Sequence, residues 1–259
     1  MSPRTPHLTR TLLALVLTAP AAVAAAEYPD PVQQLIDRGA VEVVGEFEAP
    51  GGLTGYAGEM RGQPVALYLT EDGQHVLVGT LLDARGRNLT APELEQRVTA
   101  PKFADVWPQL EDSHWVQDGA DDADTVIYTL TDPNCPYCYK LRDAAAPWIE
   151  AGRVQLRHIV VGILAEDSPA KAATILGSED PAAALQENYR RFDAGGVSVA
   201  SAAVESGRAA LEDNTRLMQE LGLRATPTTF YRDDGAVAIR RGLPERHELP
   251  VIMGSPRPQ

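Results

Sequence analysis

The sequence predicts an α+β protein of two domains joined by a helical connector. Three observations carry that prediction. A short amphipathic helix precedes four strand-like runs separated by strong breakers. Residues 90 to about 113 then read as helical. Beyond residue 118 the order is strand, helix, strand, several helices, a hairpin and a last helix. A length of 259 residues suits one or two domains, each able to bury a core. An apolar content of 44% with 23% charged residues argues against disorder. The net charge of −13 argues against nucleic acid as a partner, because phosphates need Lys and Arg to neutralise them. It also disfavours binding to anionic lipid.

The N-terminus sets the expected compartment. Arg4 and Arg10 precede an apolar run from Leu12 to Ala19, and Pro20 and the small residues Ala21 to Ala26 follow. That is a charged region, an apolar region and an A-x-A cleavage site, so residues 1–26 are expected to be a signal peptide. The run is too short to span a bilayer comfortably, since spanning takes about 20 apolar residues. Cleavage after Ala26 would leave Glu27 as the mature start, in an oxidising space outside the cytoplasm.

Each element follows from local signals. Asp30 to Arg38 is a helix with Val32, Leu35 and Ile36 on one face and Gly39 as its stop. Strands are expected at Val41–Phe47, Leu53–Met60, Val65–Thr70 and His75–Leu82, with turns at Pro50-Gly51-Gly52, Gly62-Gln63-Pro64 and Asp72-Gly73. A small sheet has edges to protect, and pairing with a second copy is one way to do so, a monomer with charged edges being the other. Thr90 reads as an N-cap with Glu93 at the box position, and Pro101 interrupts the helix that follows. The expected division is an N-terminal domain over 27–89, a helical linker over 90–117 and a C-terminal domain over 118–259.

The C-terminal domain opens with the buried-type strand Thr125–Leu130, and a helix follows through Ile149. Val154–Val161 is a strand. Ser168-Pro169 and Asp180-Pro181 each start a helix, and Arg208–Leu221 is another. Thr228–Tyr231 and Ala236–Arg240 form a hairpin, and a helix runs from about Glu245 to Met253. This is the element order of a thioredoxin fold carrying a helical insertion.

Cys135-Pro136-Tyr137-Cys138 lies between that first strand and its helix, the context of a redox dithiol. A thiol at a helix N-terminus faces unpaired backbone N–H groups and the positive end of the dipole, so its pKa falls below about 8.5. Cys135, expected at an exposed start, is the candidate nucleophile, and Cys138, one turn inside, the resolving thiol. Pro136 fixes φ in the first turn without removing a needed donor. A structural staple is a poorer reading, because so small a loop gains little stability. Half a zinc site is poorer still, because the histidines are scattered, and the pattern calls for no metal and no cofactor. Thr226-Pro227 before a strand suits a proline loop beside the dithiol, with Thr226 holding a hydroxyl near the sulfurs and the backbone open to an extended client. Tyr137 is a candidate client contact. Asp132 reads as a helix cap, a proton shuttle or a solvated turn residue, and His158 as a satisfied core histidine rather than a base.

At this point the sequence resembles the DsbC/DsbG family of periplasmic thiol:disulfide interchange proteins. The matching residues are Ala49-Pro50-Gly51-Gly52, Ser113-His114-Trp115, Asp132-Pro133 with Cys135-Pro136-Tyr137-Cys138, Thr226-Pro227, Gly242-Leu243-Pro244 and Val251-Ile252-Met253-Gly254. The inner Pro-Tyr and the lack of a second cysteine pair favour the DsbG branch. Tyr139 departs from the pattern, where Lys or Gln is usual. The resemblance implies a cystatin-like dimerisation domain and a V-shaped homodimer. It implies reduction of Cys135 and Cys138 by the membrane reductase DsbD. It also implies a reductive activity on wrong disulfides and sulfenylated cysteines of client proteins, with a chaperone activity beside it. A DsbA-like oxidant, which would normally lack the N-terminal domain, and a chaperone with an incidental dithiol are the competing readings.

Overall fold

The computed structural model describes residues 28–258, so the signal peptide expected over 1–26 lies outside the described residues. Among them, no helix is long and apolar enough to cross a membrane. The N-terminal unit packs α1 (Asp30–Asp37) against an antiparallel sheet of β1 (Glu42–Ala49), β2 (Leu53–Met60), β3 (Gln63–Leu69) and β4 (Val76–Val78), in the order β1-β2-β3-β4. Val32 from the helix joins Val41, Tyr56, Leu67 and Leu69 in one core. The helix-and-meander expectation holds, except that β4 is three residues rather than eight. After Val78 the chain leaves β3 at Gly79, and Leu82 bridges Asn88 instead, across a turn in which Asp83 accepts from the backbone N–H groups of Arg85 and Arg87.

The expected linker is one nearly continuous helical run: α2 (Thr90–Leu94), a π-helical turn (Glu95–Thr99) and α3 (Ala100–Phe103), then α4 (Trp107–Glu111). Asn88, not Thr90, caps it, accepting from the N–H groups of Thr90 and Ala91 at 2.9 and 3.0 Å. Thr90 is buried instead, with its hydroxyl on Tyr68 and the Leu81 N–H. Pro101 does not stop the helix. It has no N–H to give the Arg97 carbonyl, and the widened turn before it, where Ala100 N–H reaches back to Glu95, makes room for its ring. Val98 packs on Phe47 and Tyr68 of the N-terminal core. Phe103, Val106, Trp107 and Leu110 pack on Tyr128, Leu130 and Phe230 of the other. The 90–117 linker is therefore shared between two cores and is not a separate segment.

The C-terminal sheet is β5 (Trp115–Asp118), β6 (Thr125–Thr131), β7 (Val154–Val160), β8 (Thr228–Asp233) and β9 (Ala236–Arg241), in the order β5-β7-β6-β8-β9. The strands β6 and β7 are parallel and the other pairings antiparallel. The strand β5 begins before residue 118, so this sheet starts ahead of the expected boundary. The helix α5 (Pro136–Glu150) crosses from β6 to β7. The insertion is α6 (Ser168–Leu176), α7 (Pro181–Arg190), a 3₁₀ turn (Phe192–Ala194) and α8 (Ser201–Glu220). Asp180 caps α7 through the Ala183 N–H, as its sequence suggests. The helix α8 starts seven residues before the expected Arg208, and α9 (Leu249–Ile252) is shorter than expected. Before α9, Glu248 accepts from the Glu245 N–H and pairs with Arg240, which holds residues 245–248 in a turn.

Candidate active site

The strand β6 ends at Thr131, and Asp132 to Asn134 carry the chain round to α5. Cys135 is the N-cap of that helix, extended at φ −80° and ψ 110°, and its Sγ accepts the Cys138 N–H at 3.1 Å. Pro136 is the first helical residue. Cys138 lies one turn in, against the sheet, and both cysteines are free thiols. Cys135 is not exposed as expected. It is 1% accessible, because the Thr226 carbonyl covers it at 3.4 Å from Sγ. The Thr226-Pro227 peptide is cis. Thr226 Oγ1 is buried with no nitrogen or oxygen partner and lies by the sulfurs. The structure thus brings Cys135, Pro136, Cys138, Thr226 and Pro227 together. Tyr137 points outward, 54% exposed, with the Lys140 ammonium 5.3 Å from its ring centre.

The two thiols are displaced in opposite directions. The Cys138 thiol donates to the Cys135 sulfur, and with the Thr226 hydroxyl and the Cys138 and Tyr137 N–H groups it overcomes burial, lowering the Cys135 pKa to about 6. Burial first, and then the neighbouring Cys135, push Cys138 well above its ordinary value. One sulfur is a thiolate at neutral pH while the other keeps its proton. The pair can attack a disulfide, hold the mixed disulfide and then close on itself.

Asp132 is neither the cap of α5 nor a solvated turn residue. It is buried and accepts four hydrogen bonds: from the N–H groups of Asn134 (2.8 Å), Ile163 (2.6 Å) and Leu164 (3.0 Å), and from the Ser168 hydroxyl (2.8 Å). It ties the loop after β7 to the turn that carries Cys135. Asn134, which sequence reasoning passed over, extends the tie to Ser168, Asp167 and Lys171. Its place beside the cysteine was the available signal. Tyr139 stacks on Phe192 at 5.0 Å, so it faces the insertion. Trp107 and Trp148 are core residues.

Two family models match the chain: a thioredoxin-like domain over residues 119–250, and the N-terminal domain of the disulfide bond isomerase proteins over residues 19–91. The thiol:disulfide interchange protein DsbG of Pseudomonas aeruginosa is 42% identical over 254 residues, 96% of this chain and 99% of that one. DsbG of Escherichia coli is 36% identical over 249 residues, 94% and 97% of the two chains. Among solved structures, the catalytic domain of Proteus mirabilis ScsC is 23% identical with a TM-score of 0.48, covering 60% of this chain and 96% of its own.

Proposed function

The chain belongs to the DsbG family of thiol:disulfide interchange proteins, and from that we propose that it is a periplasmic disulfide reductase and isomerase in which Cys135 attacks and Cys138 resolves. The opposite displacement of the two thiols is the observation that carries this reading. The Cys135 thiolate attacks one sulfur of a wrong client disulfide, and the other client sulfur leaves as thiolate. Cys138 then attacks Cys135, frees the first client sulfur and closes the Cys135–Cys138 disulfide. A client sulfenic acid enters the same cycle, with water as the leaving group. Pro136, Tyr137, Thr226 and Pro227 form the client-facing rim, with the Thr226 backbone presented to an extended segment.

The protein reaches the periplasm through residues 1–26 and pairs with a second copy through its N-terminal sheet, where Leu77 and Val78 are exposed on edge strand β4. A DsbD-type membrane reductase returns the electrons, and the cleft of the dimer shields unfolded clients as a chaperone. The test is the steady-state redox state of the pair in cells quenched with acid and labelled with a thiol mass tag. A mostly reduced pair is expected, and a mostly oxidised pair would make the protein a disulfide donor. Cys138→Ser should accumulate client mixed disulfides, and Cys135→Ser should not.

A further inference from the structure

The parallel strands β6 and β7 end together, with Thr131 opposite Val160. The strand β8 runs the other way and starts at the same edge, with Thr228 opposite Leu130. The order β7-β6-β8 therefore sets the Cys135 turn between two loops. Thr226-Pro227 enters on the β8 side, and the loop at 162–167 leaves on the β7 side. Ile163 and Leu164 in that second loop are 39% and 50% exposed.

Scattered exposed apolar residues are ordinary. These two are consecutive, and the loop that carries them is fixed. Their N–H groups both donate to Asp132 Oδ2, at 2.6 and 3.0 Å, and the Ala165 N–H donates to the Ser168 hydroxyl at 3.0 Å. Gly162 lies so close to the start of α6 that an added Cβ would be 2.6 Å from Pro169 Cα. Three successive N–H groups thus turn inward, while the two aliphatic side chains stay in water. The same Asp132 accepts the Cys135 N–H on its carbonyl at 3.0 Å. One buried residue therefore bridges this apolar pair to the nucleophile. An extended client covers that bridge in about two to four residues, at about 3.3 Å each.

Resting on the reading of Cys135 as the group that attacks wrong disulfides, we propose that Ile163 and Leu164 determine which disulfides it attacks. They bind an aliphatic or aromatic side chain within about four residues of the client's cysteine. The chemistry of wrong disulfides supplies that occupant. Cysteine is among the most buried residue types, so the chain around it runs through cores. A native disulfide keeps its apolar neighbours covered, and a wrong one leaves them in water. An apolar shelf beside the nucleophile gains contact area only from the second kind. It discriminates by the flank and not by the sulfurs, which are alike in both. Asp132 is then a positioning residue for the shelf as well as for the turn.

The experiment is reaction of the reduced protein with the symmetrical disulfides of two capped, neutral peptides. They are alike except for leucine or serine at the second and third positions on each side of the cysteine. Acid quench and chromatography read the released peptide thiol. Each second-order rate constant is divided by that of dithiothreitol with the same peptide, which removes intrinsic differences in reactivity. The leucine peptide should then react about five- to tenfold faster, as expected from covering roughly half of two aliphatic side chains. That comparison needs no variant to fold. Ile163→Ser with Leu164→Ser should bring the ratio close to unity, and the loop should hold because its N–H groups are kept. Ile163→Leu with Leu164→Ile, which preserves the apolar area, should keep the preference. A ratio close to unity in the unaltered protein means that the two side chains serve another contact, and it overturns the proposal. A preference that survives the serine substitutions also overturns it. Failure of the underlying reading looks different: Cys135→Ser would still release thiol from both peptides.

Discussion

Cys135 and Cys138 are three residues apart, yet one is acidified and the other is not. The difference is that one is capped by N–H groups and a thiol, and the other is packed on a sheet. Alkylation of Cys135 by iodoacetamide should follow a titration centred near about pH 6. Cys138→Ser should move that centre upward, because the Cys138 thiol is the largest single cause of the depression. Thr226→Val should move it the same way by less. The sign for stability follows from linkage. The folded Cys135 pKa lies below its unfolded value of about 8.5, so the unfolded chain binds more protons between the two. The reduced protein should therefore gain stability from Cys135 as pH rises from about 6 to 8.5, and lose it as pH falls, as denaturant midpoints would report. The two cysteines and Thr226-Pro227 were legible because their chemistry depends on spacing and on a strand–helix junction. The burial of Cys135 was not, because the carbonyl that covers it comes from residue 226, ninety-one positions away. His158 escaped in part for the same reason. It is core as expected, but its Nε2 has no hydrogen-bond partner and faces Asp118 at 3.8 Å, a meeting made only by the pairing of β5 with β7.

At the scale of elements, the insertion is held by close backbone approach. The helices α6 and α8 cross at Gly177 and Gly207, where an added Cβ would lie 2.0 Å from the Ala203 carbonyl or 2.1 Å from that of Ala173. Gly207→Ala should thus lower stability by about 1–3 kcal/mol, measured as a denaturant midpoint, despite the helix propensity it gains. Asp132→Asn should cost a similar amount, about 1–3 kcal/mol, because an amide cannot accept all four donors. Limited proteolysis would then find the loop at 162–167 first. Gly207 also explains why the start of α8 was misjudged. Ser201, Ala202, Ala203 and Gly207 have little side chain with which to show a period, and they serve by letting backbones touch. In contrast, α1, β2, α5 and the hairpin were readable because their apolar spacing and breakers agree with what they bury. Thr90 looked like a cap by type, but its hydroxyl was needed by Tyr68, and Asn88 took its place.

At the scale of the molecule, the two units touch beyond their covalent connection. Lys102 bonds both carboxylate oxygens of Glu59 at 2.7 and 3.0 Å, and Gln63 reaches the Gly222 carbonyl at 3.5 Å. Arg241 lies half-buried at the same seam, its charge disfavoured by burial and supported by Glu95 and Glu59. The π-helical turn at Glu95–Thr99 lies between the part of the run that packs on the first core and the part that packs on the second. Each residue of an α-helix advances the azimuth by about 100°. The extra residue in that turn therefore acts as a vernier, setting the angle at which one body is clocked against the other. Removing Gln96 would re-phase everything after it by about that angle, Val98 included, and pull Lys102 off Glu59. Small-angle scattering of the deletion should show an altered profile with the dithiol's alkylation rate unchanged. An identical profile would mean that the angle is fixed by the seam and not by the helix.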